Sequence, residues 1–227
     1  MSLPLLIFDL DGTLVDTAPD LLATLGRTLT AFGFETGEAD VSTAMIGRGS
    51  RSMIEQALAA QGHSAPGELV RDMHAAFLDD YGDHLCDESY IYPGVEACLD
   101  RFAAAGWRFA VCTNKLEALS ASLLGELNIE DRFAAICGAD SVADCKPHPG
   151  HILETVRRSG SDHEKTIMIG DSAADIGAAR AANVPVIGVT FGYTPTPMRL
   201  LEPDLLLDAF DALTPDDAGR LIGTPVV

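Results

Sequence analysis

With 227 residues, 47% hydrophobic and 22% charged, the chain has ample apolar material for one large core, alone or with a small satellite, and is not of disordered composition. Fifteen basic against 34 acidic residues give a formal net charge of −19. Such a surface repels nucleic acid and anionic membranes, so neither is expected as a partner. No apolar stretch is long enough to span a bilayer, and the first apolar run lacks a preceding basic residue and is cut by Asp9, so no signal peptide is expected. The five scattered cysteines (Cys86, Cys98, Cys112, Cys137, Cys145) lack Cys-x-x-Cys spacing and read as free thiols in a reducing cytoplasm.

In chain order, Leu5-Leu6-Ile7-Phe8 reads as a buried strand that runs into Asp9-Leu10-Asp11-Gly12-Thr13. If the extended geometry continues, Asp9 and Asp11 leave the strand on the same side. Paired carboxylates in apolar surroundings need a cation or a shared proton, which suits a Mg²⁺ site or a nucleophile beside a general acid/base. The bland alternative is a solvated Asp-Gly turn. Beyond Pro19 the pattern is helical, with Leu21, Leu22, Leu25, Leu29 and Phe32 on one stripe. A shorter piece ends at Met45-Ile46, Ser50 caps a third, and Pro66 opens a fourth. Four helices make a small bundle over 17–84, inserted after the first strand. Helices and strands then alternate: helix 95–105, strand 107–112, helix 116–127, strand 133–137, helix 149–158, strand 166–169, helix 173–182 and strands 186–190 and 205–207. That alternation predicts an α/β fold with a parallel sheet, the core comprising 1–16 and 85–227.

Ligands of open α/β sheets bind at the carboxyl ends of the strands. Those ends offer Asp9 and Asp11, then Thr113 and Asn114, then Lys146-Pro147, then Gly170-Asp171-Ser172 with Asp175 one helical turn on. Each has a bland alternative: a helix cap for Thr113-Asn114, an exposed loop for Lys146-Pro147, a capped turn for Gly170-Asp171-Ser172. Together they form a set that can bind a phosphoryl group and Mg²⁺. Thr113 can donate to a phosphoryl oxygen, and Lys146 can neutralise both nucleophile and phosphate. Asp171 can complete an oxygen site with Asp9 and the backbone carbonyl of Asp11.

With these four stretches in order, the chain resembles the haloacid dehalogenase-like phosphohydrolases along essentially its whole length. The resemblance implies a Rossmann-like core with an inserted α-helical cap, Asp9 as nucleophile, Asp11 as acid/base, and Mg²⁺ as cofactor. It also implies substrate contacts at Gly12, Thr13 and Asn114, and Ser172 and Asp175 behind the metal ligands. Within the family, Ile46-Gly47-Arg48-Gly49, Tyr92-Pro93-Gly94, Lys146-Pro147-His148-Pro149 and Val189-Thr190-Phe191-Gly192-Tyr193 are most similar to the phosphoglycolate phosphatases. The implied substrate is a small phosphorylated metabolite such as 2-phosphoglycolate, hydrolysed through an aspartyl phosphate by a cytoplasmic monomer or homodimer. A phosphosugar phosphatase or mutase is the alternative. Metal-free dehalogenases lack the second aspartate, which is present here, and phosphonatases need a cap lysine. The only lysines are Lys115, Lys146 and Lys165, none of them in the cap. A phosphoacceptor signalling domain also joins an aspartate, Mg²⁺ and a lysine, but places the aspartate on a middle strand without a helical insert.

Two further features each have a bland alternative. Gly47-Arg48-Gly49 is either a helix–helix turn with a solvated arginine or a cap loop that aims Arg48 at the leaving group. Cys145, His148 and His151 have loosely metal-like spacing, but no second ligand pair lies nearby, so zinc is not expected. His63, His74, His84 and His163 read as surface residues.

Overall fold

A computed structural model describes residues 3–37, 41–47 and 49–223. The elements in order are β1 (Leu5–Phe8), β2 (Val15–Asp16), α1 (Ala18–Ala31), α2 (Ser50–Ala60), α3 (Gly67–Asp83), β3 (Tyr90–Ile91), α4 (Val95–Ala104), β4 (Arg108–Cys112) and α5 (Glu117–Glu126). Then follow β5 (Ile136–Cys137), α6 (Pro149–Ser159), β6 (Thr166–Gly170), α7 (Ala173–Ala181), β7 (Val186–Val189), β8 (Leu205–Leu207) and α8 (Pro215–Leu221).

Six strands form one sheet in the order β5-β4-β1-β6-β7-β8, and every neighbouring pair is parallel. The architecture is α/β and Rossmann-like. β1 lies between β4 and β6. The chain builds outward from β1 through β4 and β5, then returns past β1 to begin the other half at β6. This reversal opens a crevice beyond the carboxyl ends of β1 and β6, the usual ligand position in such sheets.

All four β1 residues are fully buried, because both faces of the sheet are covered. Leu6 and Phe8 join Phe109, Val111, Ile167 and Ile169 on one face. Leu5 and Ile7 join Ala110, Met168, Ile152 and Val156 on the other. Period-2 alternation therefore divides one continuous apolar run between two cores.

β2 pairs antiparallel with β3, Val15 opposite Ile91 and Asp16 opposite Tyr90. Their ribbon brackets the helical insertion, so the chain enters and leaves it at one place. Within the insertion α1 and α2 both pack on α3. The second expected helix is only a single 3₁₀ turn, Thr43–Met45. Ser42 caps it and Gly47 follows at φ +103°, which leaves too few residues for an α-helical nucleus. The α2 N-cap is Gly49, with Ser50 the first helical residue. Strand β5 is Ile136–Cys137, shorter than the expected 133–137. Among the described residues no helix is long and apolar enough to cross a membrane, and all five cysteines are free thiols.

Candidate active site

Asp9 follows β1 directly. Its N–H donates to the Ile169 carbonyl (2.9 Å), which carries the ladder one residue past the strand. Its carboxylate accepts from the Leu10 N–H (2.8 Å) and lies 2.9 Å from Lys146 Nζ. The extended path then ends. Leu10 begins a tight turn in which the Thr13, Leu14 and Val15 N–H groups all donate to its carbonyl. Asp11 is therefore not the strand neighbour of Asp9. Its Oδ1 accepts from Thr17 Oγ1 (2.8 Å) and from Lys115 Nζ (3.1 Å). The two front carboxylates are each matched to a different lysine.

Lys146 is 4% exposed and also donates to Asp175 Oδ1 (2.6 Å). The other Asp175 oxygen accepts from the Ser172 N–H (3.0 Å) and hydroxyl (2.6 Å). The Asp175 N–H returns to Ser172 Oγ, which makes a capping box at the start of α7. Asp171, at the end of β6, accepts from the Tyr193 N–H on Oδ2 (2.7 Å). Its Oδ1 is buried without a hydrogen-bond partner. Gly12 packs under it at φ +81°; a Cβ there would lie 2.7 Å from Asp171 Oδ2 and 2.9 Å from the Tyr193 ring.

Carboxylate oxygens of Asp9, Asp171 and Asp175 lie within 4.8 Å of one another. Burial, followed by the Asp175 charge, raises Asp9 to about 7 against the pull of Lys146. Burial, then Asp175 and Asp9, push Asp171 well above the ordinary carboxylate range. Burial opposes the Lys146 charge, but Asp175 and Asp9 outweigh it and hold the ammonium protonated. One lysine against three buried carboxylates leaves net negative charge, and the orphan Asp171 oxygen marks where a further cation fits. The donor set is all oxygen, the chemistry of Mg²⁺ rather than of a softer metal. Asp171 and Asp9 have oxygens to offer it, whereas both Asp175 oxygens are engaged behind them. The carboxylate of Asp11 lies outside the cluster, facing Lys115.

Thr113 follows β4 and is 1% exposed; its N–H donates to the Cys137 carbonyl. Asn114 donates through Nδ2 to the Lys146 carbonyl (3.1 Å), while its Oδ1 is buried and unpartnered. The cis Lys146-Pro147 peptide closes this side. A cavity of about 760 Å³ runs from Asp9, Asp11, Thr113, Asn114, Lys146 and Asp171 to the helical insertion. Ser172 lines it also, but Gly12, Thr13 and Asp175 do not. Arg48 lies outside the described residues.

Three participants were not singled out as site residues, although Tyr193 ends the Val189–Tyr193 stretch. Lys115 pairs with Asp11 and is itself held by Tyr81, and Tyr193 supplies the N–H that holds Asp171. The Tyr193 hydroxyl meanwhile donates to Asp16 Oδ1 (2.6 Å) and accepts from the Thr17 and Ala18 N–H groups (2.7 and 3.0 Å). The scarcity of lysine and the position of Lys115 directly after Thr113-Asn114 were the available signals. His74 is not a plain surface residue: it lines the cavity and is hydrogen-bonded to Ser50 Oγ (2.9 Å).

Residues 6–189 match the family described as haloacid dehalogenase-like hydrolase. The chain is 45% identical over 222 residues to a phosphoglycolate phosphatase of Mesorhizobium japonicum, covering 98% of both proteins. It is 47% identical over 212 residues to a phosphoglycolate phosphatase of Agrobacterium fabrum, covering 93% of this chain and 91% of the relative. Among solved structures, a predicted phosphoglycolate phosphatase from Haemophilus somnus superposes with a TM-score of 0.84 at 29% identity. That match covers 92% of this chain and 96% of the other.

Proposed function

The chain belongs to the haloacid dehalogenase-like hydrolase family, and from that premise we propose that it hydrolyses 2-phosphoglycolate with Mg²⁺ through an aspartyl phosphate on Asp9. The protein is a phosphoric monoester hydrolase. The observation that carries the finer reading is the buried Asp9 carboxylate held 2.9 Å from Lys146 Nζ beside the unpartnered Asp171 Oδ1, both residues lining the cavity.

Asp9 attacks phosphorus, its carboxylate oxygen forming the new P–O bond as the ester P–O bond breaks. Asp11 delivers a proton to the departing oxygen. Asp11 then takes a proton from water as that water attacks phosphorus, which releases inorganic phosphate and frees Asp9. Lys146 offsets the charge of nucleophile and phosphoryl group, and the Thr113 hydroxyl donates to a phosphoryl oxygen. Asp9, Asp171 and the Asp11 carbonyl would hold Mg²⁺, with Ser172 and Asp175 behind them; when bound, it supplies the positive charge that keeps these carboxylates ionised and screens the phosphoryl oxygens. The segment 17–84 acts as a cap that excludes bulk water, over a core of 1–16 and 85–227. Gly12 and Thr13 shape the turn that presents Asp11, and Asn114 orders the Lys146 loop.

The reading is tested with phosphorylated metabolites in Mg²⁺. Release of inorganic phosphate from 2-phosphoglycolate, fastest within the panel and abolished by excess chelator, is expected. Full activity in chelator removes the metal from the reading, and faster turnover of a phosphosugar replaces the substrate.

A further inference from the structure

We propose that Lys115 reads a carboxylate on the leaving group and so selects short carboxylated phosphate monoesters. The inference rests on the phosphatase reading above and names the residue behind its substrate preference.

The Lys115 ammonium has three N–H donors. It donates to Asp11 Oδ1 (3.1 Å) and Tyr81 Oη (2.6 Å). Among the described residues no hydrogen bond or ion pair engages the third. The side chain is 5% exposed, the residue lines the cavity, and Nζ sits 4.3 Å from the Tyr81 ring centroid. The tyrosine ring and hydroxyl thus hold the ammonium in place before any ligand arrives.

The other cavity-lining cations among the described residues are Lys146 and Arg51. Lys146 is committed to Asp9 and Asp175, on the phosphoryl side. Arg51 is 58% exposed and paired with Glu55. Lys115 alone adjoins Asp11. To receive the Asp11 proton, the ester oxygen must lie within hydrogen-bond reach of that carboxylate. In 2-phosphoglycolate the carboxyl carbon is two bonds from that oxygen, so the carboxylate must arrive beside Asp11. There Asp11, Asp9 and Asp171 all repel it, and among the described residues Lys115 is the cation placed to offset the repulsion. An acid with one more methylene carries its charge past this point.

The test compares kcat/KM for 2-phosphoglycolate, for 2-hydroxyethyl phosphate (its uncharged analogue) and for the homologue with one more methylene. The wild type is expected to favour 2-phosphoglycolate over both by roughly tenfold or more. In Lys115→Met turnover of every ester falls, because Asp11 loses its partner, but 2-phosphoglycolate falls roughly tenfold further, the excess lying in KM. Tyr81→Phe, which keeps the ring and frees the ammonium, is expected to move the same ratio less far. No wild-type preference, or equal loss on charged and uncharged esters in both variants, overturns the inference and leaves Lys115 a strut. A wild type that turns over none of the three overturns the phosphatase reading and this inference with it.

Discussion

Asp9 and Asp171 each lie at a strand end with an apolar sheet behind and other carboxylates beside them, and their protonation follows from that company. Both are pushed upward by burial and then by Asp175. A cation relieves both, and Asp171 contributes a buried carboxylate oxygen that no hydrogen bond satisfies. Asp171→Asn is therefore expected to raise the Mg²⁺ concentration for half-maximal phosphatase activity by roughly tenfold or more; an unchanged metal titration would remove Asp171 from the ligand set. A second residue-scale prediction concerns His151, fully buried behind Lys146. Its Nδ1 accepts from the Lys146 N–H (3.3 Å) and its Nε2 faces the Cys137 carbonyl (3.2 Å), so the neutral ring satisfies both partners. Burial and then the Lys146 charge lower its pKa to about 4. A base depressed in the folded state is protonated first in the unfolded chain. Its contribution to stability is complete above its ordinary value of about 6.5 and is lost as pH falls from there toward 4. The slope is at most about 1.4 kcal/mol per pH unit. Urea unfolding across that range should show a shallower decline in His151→Gln than in wild type; parallel curves would contradict the assignment.

The elements were legible where a run was long or strongly apolar. β1 matches its expected limits because four apolar residues end against an aspartate. The core helices expected between 95 and 182 fall within a residue or two of their limits, whereas α8 was not foreseen. The β2–β3 ribbon was not legible, because two residues per strand carry no periodicity, yet it brackets the helical insertion. The site shows the same division. Residues at strand ends are found by topology, which places Asp9, Thr113 and Asp171 around one crevice. The Tyr81–Lys115 contact was hidden because it joins the end of α3 to the loop after β4, a pairing fixed only by tertiary packing. Tyr193 was hidden likewise, since its backbone and side chain serve different elements. It links the loop after β7 to the junction of β2 and α1. Tyr193→Phe leaves the Thr17 N–H without its acceptor and the Ala18 N–H with Asp16 Oδ1 alone (3.2 Å), which should cost about 1–3 kcal/mol in urea unfolding. A loss below about 0.5 kcal/mol would mean that the junction is held by other contacts.

At the scale of the molecule, a chain of net charge −19 must bind an anionic ester. The long-range field opposes the substrate, so on the proposed reading attraction comes from Lys146, Lys115 and a divalent cation within the cavity. Because the cation binds the folded site, it should raise the melting temperature. The gain grows with the logarithm of its concentration above Kd, about 2.7 kcal/mol at a hundredfold excess. Asp171→Asn should blunt that gain, and monovalent salt of equal ionic strength should not reproduce it. Equal stabilisation by monovalent salt would assign the effect to general screening.

Passage of the phosphoryl group through Asp9, with Asp11 moving the proton, is tested by rapid acid quench with labelled substrate and mass analysis of the peptide holding both residues. Label is expected on Asp9 in the wild type, more of it in Asp11→Asn because water then lacks its base, and none in Asp9→Asn. Label on position 11, or covalent phosphate persisting in Asp9→Asn, would contradict it.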